Sequence, residues 1–200
     1  MSDKIELFED MDARLCNDDK PSLYFQALNT PTFTHAHPFT MLSCLKDVKQ
    51  SPKYHPEGSV WNHTLLVLDE AAGRKDKASN NRVFMWSALL HDIGKAVTTK
   101  VRRGKITAYD HDKVGAEMAQ IFLSNFTSND FTRKVSALVR WHMQILYISK
   151  SQQYADLTSM RFETNVNDVA LLGLCDRLGR AGANRREEER AILRFLREVN

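Results

Sequence analysis

Six side chains able to bind a metal fall on otherwise apolar helical stripes: His63, His91, Asp92, His111, His142 and Asp176. The densest point is Phe84-Met85-Trp86-Ser87-Ala88-Leu89-Leu90-His91-Asp92-Ile93-Gly94-Lys95. This apolar run delivers a histidine and an aspartate side by side, then stops at a glycine and a lysine. At 3.6 residues per turn, Phe84, Ala88 and His91 share one stripe, and Met85, Leu89 and Asp92 share the next. Lys95 lies four residues from His91 and three from Asp92, so it leans over the same spot. A neutral imidazole and a carboxylate turned into a core are costly unless paired. Each one left unsatisfied loses roughly 1–3 kcal/mol of the roughly 5–15 that hold a domain together. A divalent ion satisfies both.

A lone histidine on an apolar face is ordinarily a satisfied core residue. Six such residues on five separate helices are harder to explain that way, and facing helices are where bundle proteins build mono- or dinuclear metal sites. The helices that must position them are legible. His63, Leu66, Val67 and Glu70 follow i, i+3, i+4, i+7 in a helix from Ser59 to about Gly73. The His91-Asp92 helix spans about 82–93, and His111 opens one running to Asn125. Val135, Leu138, Val139 and His142 repeat the spacing on a helix from Phe131, capped by Asn129-Asp130. Val169, Leu172, Gly173 and Asp176 repeat it within Val166–Leu178, and a charged helix covers 184–199. Upstream, helices are expected over 3–16, 22–28 and 39–48, with loops at 29–38 and 50–58; 143–165 has no clear period. Two β-prone runs, Val97–Val101 and Lys105–Tyr109, flank a tip at Arg102-Arg103-Gly104. The fold expected is therefore all-α, a helical bundle with one small β-hairpin.

Composition narrows the function. The charge balance of 28 basic and 25 acidic residues gives +3, too small to predict duplex nucleic-acid binding. Three scattered cysteines with no CxxC pair point to neither a disulfide framework nor a thiolate zinc site. No H-E-x-x-H, deaminase, P-loop or dinucleotide pattern occurs. No apolar run is long enough to cross a membrane and the start has no signal-peptide pattern, so a cytoplasmic protein without a membrane partner is expected. His35 and His37, in a loop bounded by Pro31 and Pro38, read as surface residues rather than a metal pair. A second His-Asp dipeptide, His111-Asp112, lacks the Gly-Lys trailer.

On these residues the chain resembles the HD-domain metal-dependent phosphohydrolases. Their pattern of an upstream histidine, His-Asp-x-Gly-Lys and a distal aspartate, with two more histidines in dinuclear members, falls on His63, His91-Asp92-Ile93-Gly94-Lys95, Asp176, and His111 with His142. Within that family it is most similar to the HD domain attached to some bacterial CCA-adding tRNA nucleotidyltransferases, through Leu45–Gln50, His55–Thr64, His91–Lys95 and Asp176–Arg180. The nucleotidyl-transferring head of those enzymes has a Gly-rich turn and a strand carrying D-x-D. Asp10-Met11-Asp12 and Asp110-His111-Asp112 have neither context, so CCA addition by this chain alone is not expected.

The resemblance implies an N-terminal helical extension over 1–38 and an HD phosphohydrolase domain over 39–200. It implies one or two divalent ions (Mn, Fe, Co, Ni, Zn or Mg), the first held by His63, His91, Asp92 and Asp176, with Asp92 bridging to a second at His111 and His142. Asp92 and Lys95 would be catalytic. Lys95 and Arg180, with Arg102 and Arg103 of the basic hairpin tip, would meet the phosphates of a small nucleotide or RNA end, with weak RNA binding. The activity implied is phosphomonoester or phosphodiester hydrolysis, including 2′,3′-cyclic phosphodiesterase and 2′-nucleotidase. A diiron oxygenase on the same fold, or a non-catalytic RNA- or nucleotide-binding module, are the competing readings; the oligomeric state is open.

Overall fold

The helix Asn81–Leu90 is apolar on every side, with each residue from Val83 to Leu90 buried, and the remaining helices are arranged around it. The computed structural model describes residues 2–150 and 155–199. In chain order the elements are α1 (Ser2–Asn17), α2 (Pro21–Ala27), α3 (Pro31–His35), α4 (Thr40–Ser43), α5 (Val60–Ala72), α6 (Asn81–Leu90), α7 (Lys95–Thr98), β1 (Thr99–Arg102), β2 (Lys105–Ala108), α8 (His111–Leu123), α9 (Asn129–Trp141), α10 (Gln144–Ser149), α11 (Leu157–Glu163), α12 (Val166–Leu178) and α13 (Arg185–Val199). Helices α1, α5, α9 and α12 pack on α6, α8 lies along α9, and α13 covers α12. Among the described residues, β1 and β2 form the only sheet. The chain is thus all-α with one small hairpin. No helix among the described residues is long and apolar enough to cross a membrane.

Caps set the helix starts. Ser59, Asn80 and Asn165 each accept an N–H from the first turn of α5, α6 and α12. For α9 the cap is Ser128 rather than Asn129-Asp130. Its backbone is extended and its Oγ takes the Phe131 N–H at 3.3 Å, which leaves Asn129 as the first helical residue. The loop expected at 29–38 contains α3, because Thr30 caps it, Pro31 opens it and Phe33 buries completely. The helix expected over 39–48 breaks into α4 and a 3-10 turn at Cys44–Lys46. In the span 143–165, α10 and α11 form around buried Ile145, Ile148 and Met160, while 151–154 lie outside the described residues. The hairpin pairs Thr99 with Ala108 through Arg102 with Lys105. Its two turn residues, Arg103 and Gly104, both have positive φ (50° and 73°), as a tight two-residue hairpin requires.

Residues before 38 share the core of the rest. Phe8 stacks between Trp86 and Phe126, with ring centroids 4.7 and 4.6 Å away. Met11, Leu15, Phe25 and Phe33 are fully buried. Asp12 Oδ1 accepts from Arg82 Nε and Trp86 Nε1, both at 2.7 Å, so Asp12 of the first D-x-D belongs to packing on α6, while Asp10 pairs with Arg14 at the surface of α1.

Candidate metal centre

The six expected ligands stand at helix ends. His63 is in the first turn of α5 and Asp176 in the last turn of α12; His111 opens α8; His91 and His142 directly follow α6 and α9. The helix expected to reach about residue 93 ends at Leu90. The chain then turns tightly, with Ile93 N–H donating to Leu90 O and Lys95 N–H to Asp92 O. Gly94 makes this turn possible. A Cβ there would lie 2.1 Å from His111 O and 2.6 Å from Gly115 N, so only glycine lets the turn rest on the backbone of α8. That contact brings His111 beside Asp92.

Asp92 is the hub. Its Oδ2 lies 3.4 Å from His91 Nε2 and 3.9 Å from His63 Nε2. Its Oδ1 lies 3.4 Å from His111 Nε2 and 3.9 Å from His142 Nε2. His63 Nε2 is also 3.0 Å from Asp176 Oδ1. The structure therefore brings all six together, as two adjoining triads: His63, His91 and Asp176, then Asp92, His111 and His142. One carboxylate turns an oxygen to each.

The proton positions test whether a cation fits. Nδ1 of His91, His111 and His142 lies 2.8, 2.8 and 2.7 Å from the carbonyls of Ala88, Ala108 and Val139. A carbonyl only accepts, so each Nδ1 carries a proton and each neutral ring is left with a bare Nε2. Those nitrogens point at carboxylate oxygens, which are acceptors too. The Nε2 atoms of His91 and His111 are buried without a hydrogen-bond partner. Extra protons are a poor remedy: burial, then Lys95 among its neighbours, holds His111 below its usual range against the pull of Asp92, and burial with His111 and His91 holds His142 at about 4. Lone pairs converging on lone pairs in a buried site are what a divalent ion satisfies.

The flanking charges agree. Burial pushes the Asp92 carboxyl up, but Lys95 and the imidazoles outweigh it and hold the group well below the usual carboxylate range. At Asp176 burial is likewise outweighed, by Arg180 and His63. Lys95 Nζ donates to Asp92 Oδ2 at 2.6 Å and to Gln50 Oε1 at 2.8 Å. Arg180 forks onto both Asp176 oxygens at 3.3 Å. Asp92, Lys95, Gln50, Asp176 and Arg180, with His111 and His142, face a cleft of about 380 Å³, which Lys49, Lys150 and Thr107 of the hairpin also line. Arg102 and Arg103 stand at the exposed hairpin tip, outside the cleft lining, with the Arg102 guanidinium over the Tyr109 ring. His35 and His37 are exposed and belong to no candidate metal group among the described residues. In the second His-Asp dipeptide, Asp112 pairs with Arg140 at 2.6 Å.

Three participants fall inside the resembling segments Leu45–Gln50 and His55–Thr64 but are not among the expected site residues: Gln50, which holds Lys95, and His55 with Glu57. Glu57 Oε1 lies 2.8 Å from His55 Nδ1 and 3.0 Å from His63 Nδ1. Burial would raise its carboxyl, but His63, the Glu57 amide and His55 draw it down to about 2. The available signal was the His-Pro-Glu-Gly turn just before the α5 cap. It lies off any helical stripe, so periodicity passes it over.

The HD domain family model matches residues 60–191. The chain is 35% identical over 103 residues to the multifunctional CCA protein of Halorhodospira halophila, covering 51% of this chain and 23% of that protein. It is 32% identical over 109 residues to that of Hahella chejuensis (54% and 24%) and 28% over 131 residues to that of Psychromonas ingrahamii (64% and 30%). The chain thus spans about a quarter of the length of the curated relatives it matches.

Proposed function

Because the chain belongs to the HD domain family, we propose that it is a divalent-metal-dependent phosphohydrolase acting on a phosphomonoester or phosphodiester of a nucleotide or RNA end. One observation carries this reading: three imidazoles locked by carbonyls into the bare-Nε2 form converge on the two oxygens of Asp92. His63, His91, Asp92 and Asp176 would hold one ion, and His111 and His142, with Asp92 shared, a second. A bound divalent ion supplies Lewis acidity, lowering the pKa of water and polarising a phosphoryl oxygen.

The protein's own groups do the rest. Lys95, pinned between Asp92 and Gln50, places an ammonium at the inner wall of the cleft, where it would bind a phosphoryl oxygen as negative charge develops. Arg180 neutralises Asp176 and keeps it ionised as a ligand. Lys49 and Lys150 line the cleft without an ion-pair partner among the described residues, which suits an anionic substrate. The basic hairpin tip would add weak, salt-sensitive phosphate contacts with RNA. The resemblance to the HD domain of CCA-adding enzymes implies 2′,3′-cyclic nucleotides or 2′-nucleotides as substrates. The test is a metal-restored panel. Faster hydrolysis of 2′,3′-cyclic mononucleotides or 2′-nucleotides than of bis(p-nitrophenyl) phosphate is expected. Action only on deoxynucleoside mono- or triphosphates would discard the RNA-end reading and leave the general hydrolase.

A further inference from the structure

His91, His111 and His142 all lend Nδ1 to a main-chain carbonyl; His63 does not. Its buried Nδ1 lies 3.0 Å from Glu57 Oε1, a charge contact outside hydrogen-bond alignment, and has no hydrogen-bond partner. The placement of Glu57 is local in origin. His55-Pro56-Glu57-Gly58 is a tight turn, with Gly58 N–H donating to His55 O at 3.1 Å, proline second and glycine fourth. Gly58 has a φ of 101°, which glycine tolerates and other residues rarely do. The turn folds Glu57 back against His55, whose Nδ1 donates to Oε1 at 2.8 Å. Glu57 Oε2 takes the Ala181 N–H at 3.2 Å, just beyond α12, and Asn62 of α5 donates to the Glu57 carbonyl at 3.0 Å. The side chain is only 4% exposed. One buried carboxylate thus joins a candidate ligand, a residue of the cleft wall and the ends of two helices.

We propose that Glu57 is a positioning residue that fixes His63 with its proton on Nδ1, turns Nε2 toward the metal, and holds His55 at the cleft wall. A carboxylate behind an imidazole settles its tautomer and strengthens it as a donor, more so than a neutral carbonyl does. His63 is thereby set apart from the other three histidines. The inference rests on the reading of His63 as a ligand.

The test uses Co2+ as the probe on the full chain. Glu57→Gln keeps the length but removes the charge, and leaves one acceptor oxygen where Glu57 gives Ala181 and His55 one each. Co2+ affinity, measured by chelator competition, is expected to fall by roughly 10–100-fold, with a changed visible Co2+ spectrum, in a metal-free protein that keeps its helical circular dichroism. In Zn2+-loaded wild type, the His63 Nδ1–H proton should resonate downfield of those of His91, His111 and His142, as a carboxylate rather than a carbonyl partner requires; this measurement needs no variant and decides the matter if Glu57→Gln fails to fold. Equal Co2+ affinity in the variant, or a His63 Nδ1–H resonance no different from the other three, overturns the role of Glu57 alone; a proton on Nε2 of His63 overturns its ligation as well. Wild type that takes up no Co2+ overturns the metal reading and this inference with it.

Discussion

Helix α6 meets a carboxylate at each end. At its start, Arg82 Nε and Trp86 Nε1 donate to Asp12 at 2.7 Å, so a part-buried carboxylate is answered by donors the protein itself supplies. At its end, Asp92 meets the Lys95 ammonium at 2.6 Å, but also four imidazole nitrogens at 3.4–3.9 Å, of which those of His91 and His111 are buried without a partner. The first arrangement is complete as it stands and holds α1 to the core. The second leaves those two nitrogens unanswered, as a site that could hold a metal ion would. Unsatisfied acceptors packed around a carboxylate distinguish a candidate binding site from a structural ion pair, and here burial differs too, Asp12 being 24% exposed and Asp92 3%.

The same substitution at the two ends should therefore give opposite phenotypes. Asp92→Asn keeps the shape but removes the shared anionic acceptor, so hydrolysis should fall by orders of magnitude and added metal should no longer raise the melting temperature. The helical circular dichroism should persist, and normal turnover in this variant would sink the mechanism. Lys95→Ala comes next. With the ligands intact it should retain metal yet lose about 10²–10³-fold in rate, the scale for removing one group that stabilises developing charge. Loss of metal in step with activity would show that Lys95 serves the site through Asp92 instead. Asp12→Asn should cost about 1–3 kcal/mol in denaturant unfolding, through weakened bonds to Arg82 and Trp86. Metal content and rate should be untouched; a fall in either would erase the contrast between the two ends.

Much of this was legible beforehand, for a physical reason. The apolar period places His63, His91, Asp92, His111, His142 and Asp176 on inward stripes, because a ligand on a core helix must share the stripe that packs. The hairpin and the all-α class follow from period and β-branched runs. Periodicity could not show that α6 stops at Leu90, where Gly94 lets a turn press on α8. Nor could it show His55, Glu57 and Gln50, which lie in a loop and reach the site through tertiary contacts. Arg180, expected at the phosphates, pairs with Asp176 at 3.3 Å while lining the cleft.

The smallest effect is on pH dependence. In the metal-free protein, burial, then His111 and His91, depress His142 from 6.5 to about 4. Below about 6.5 the unfolded chain gains a proton that the folded state refuses, so this contribution is full above that pH, shrinks as pH falls, and levels off below about 4. His63, raised by Asp176 and Glu57 against burial, works in the opposite sense and loses its contribution as pH rises through its folded value. Between pH 7 and 5, chelated His142→Asn protein should accordingly lose less unfolding free energy than chelated wild type. Equal losses would mean that His142 is not held neutral by its surroundings.

The most direct measurement is elemental analysis of the purified chain after loading with a divalent ion and removal of the excess. The structure predicts up to two ions per wild-type chain, with His142→Ala losing one and keeping the other. A wild-type chain that retains none would contradict the metal centre itself, and full occupancy in His142→Ala would contradict the second site.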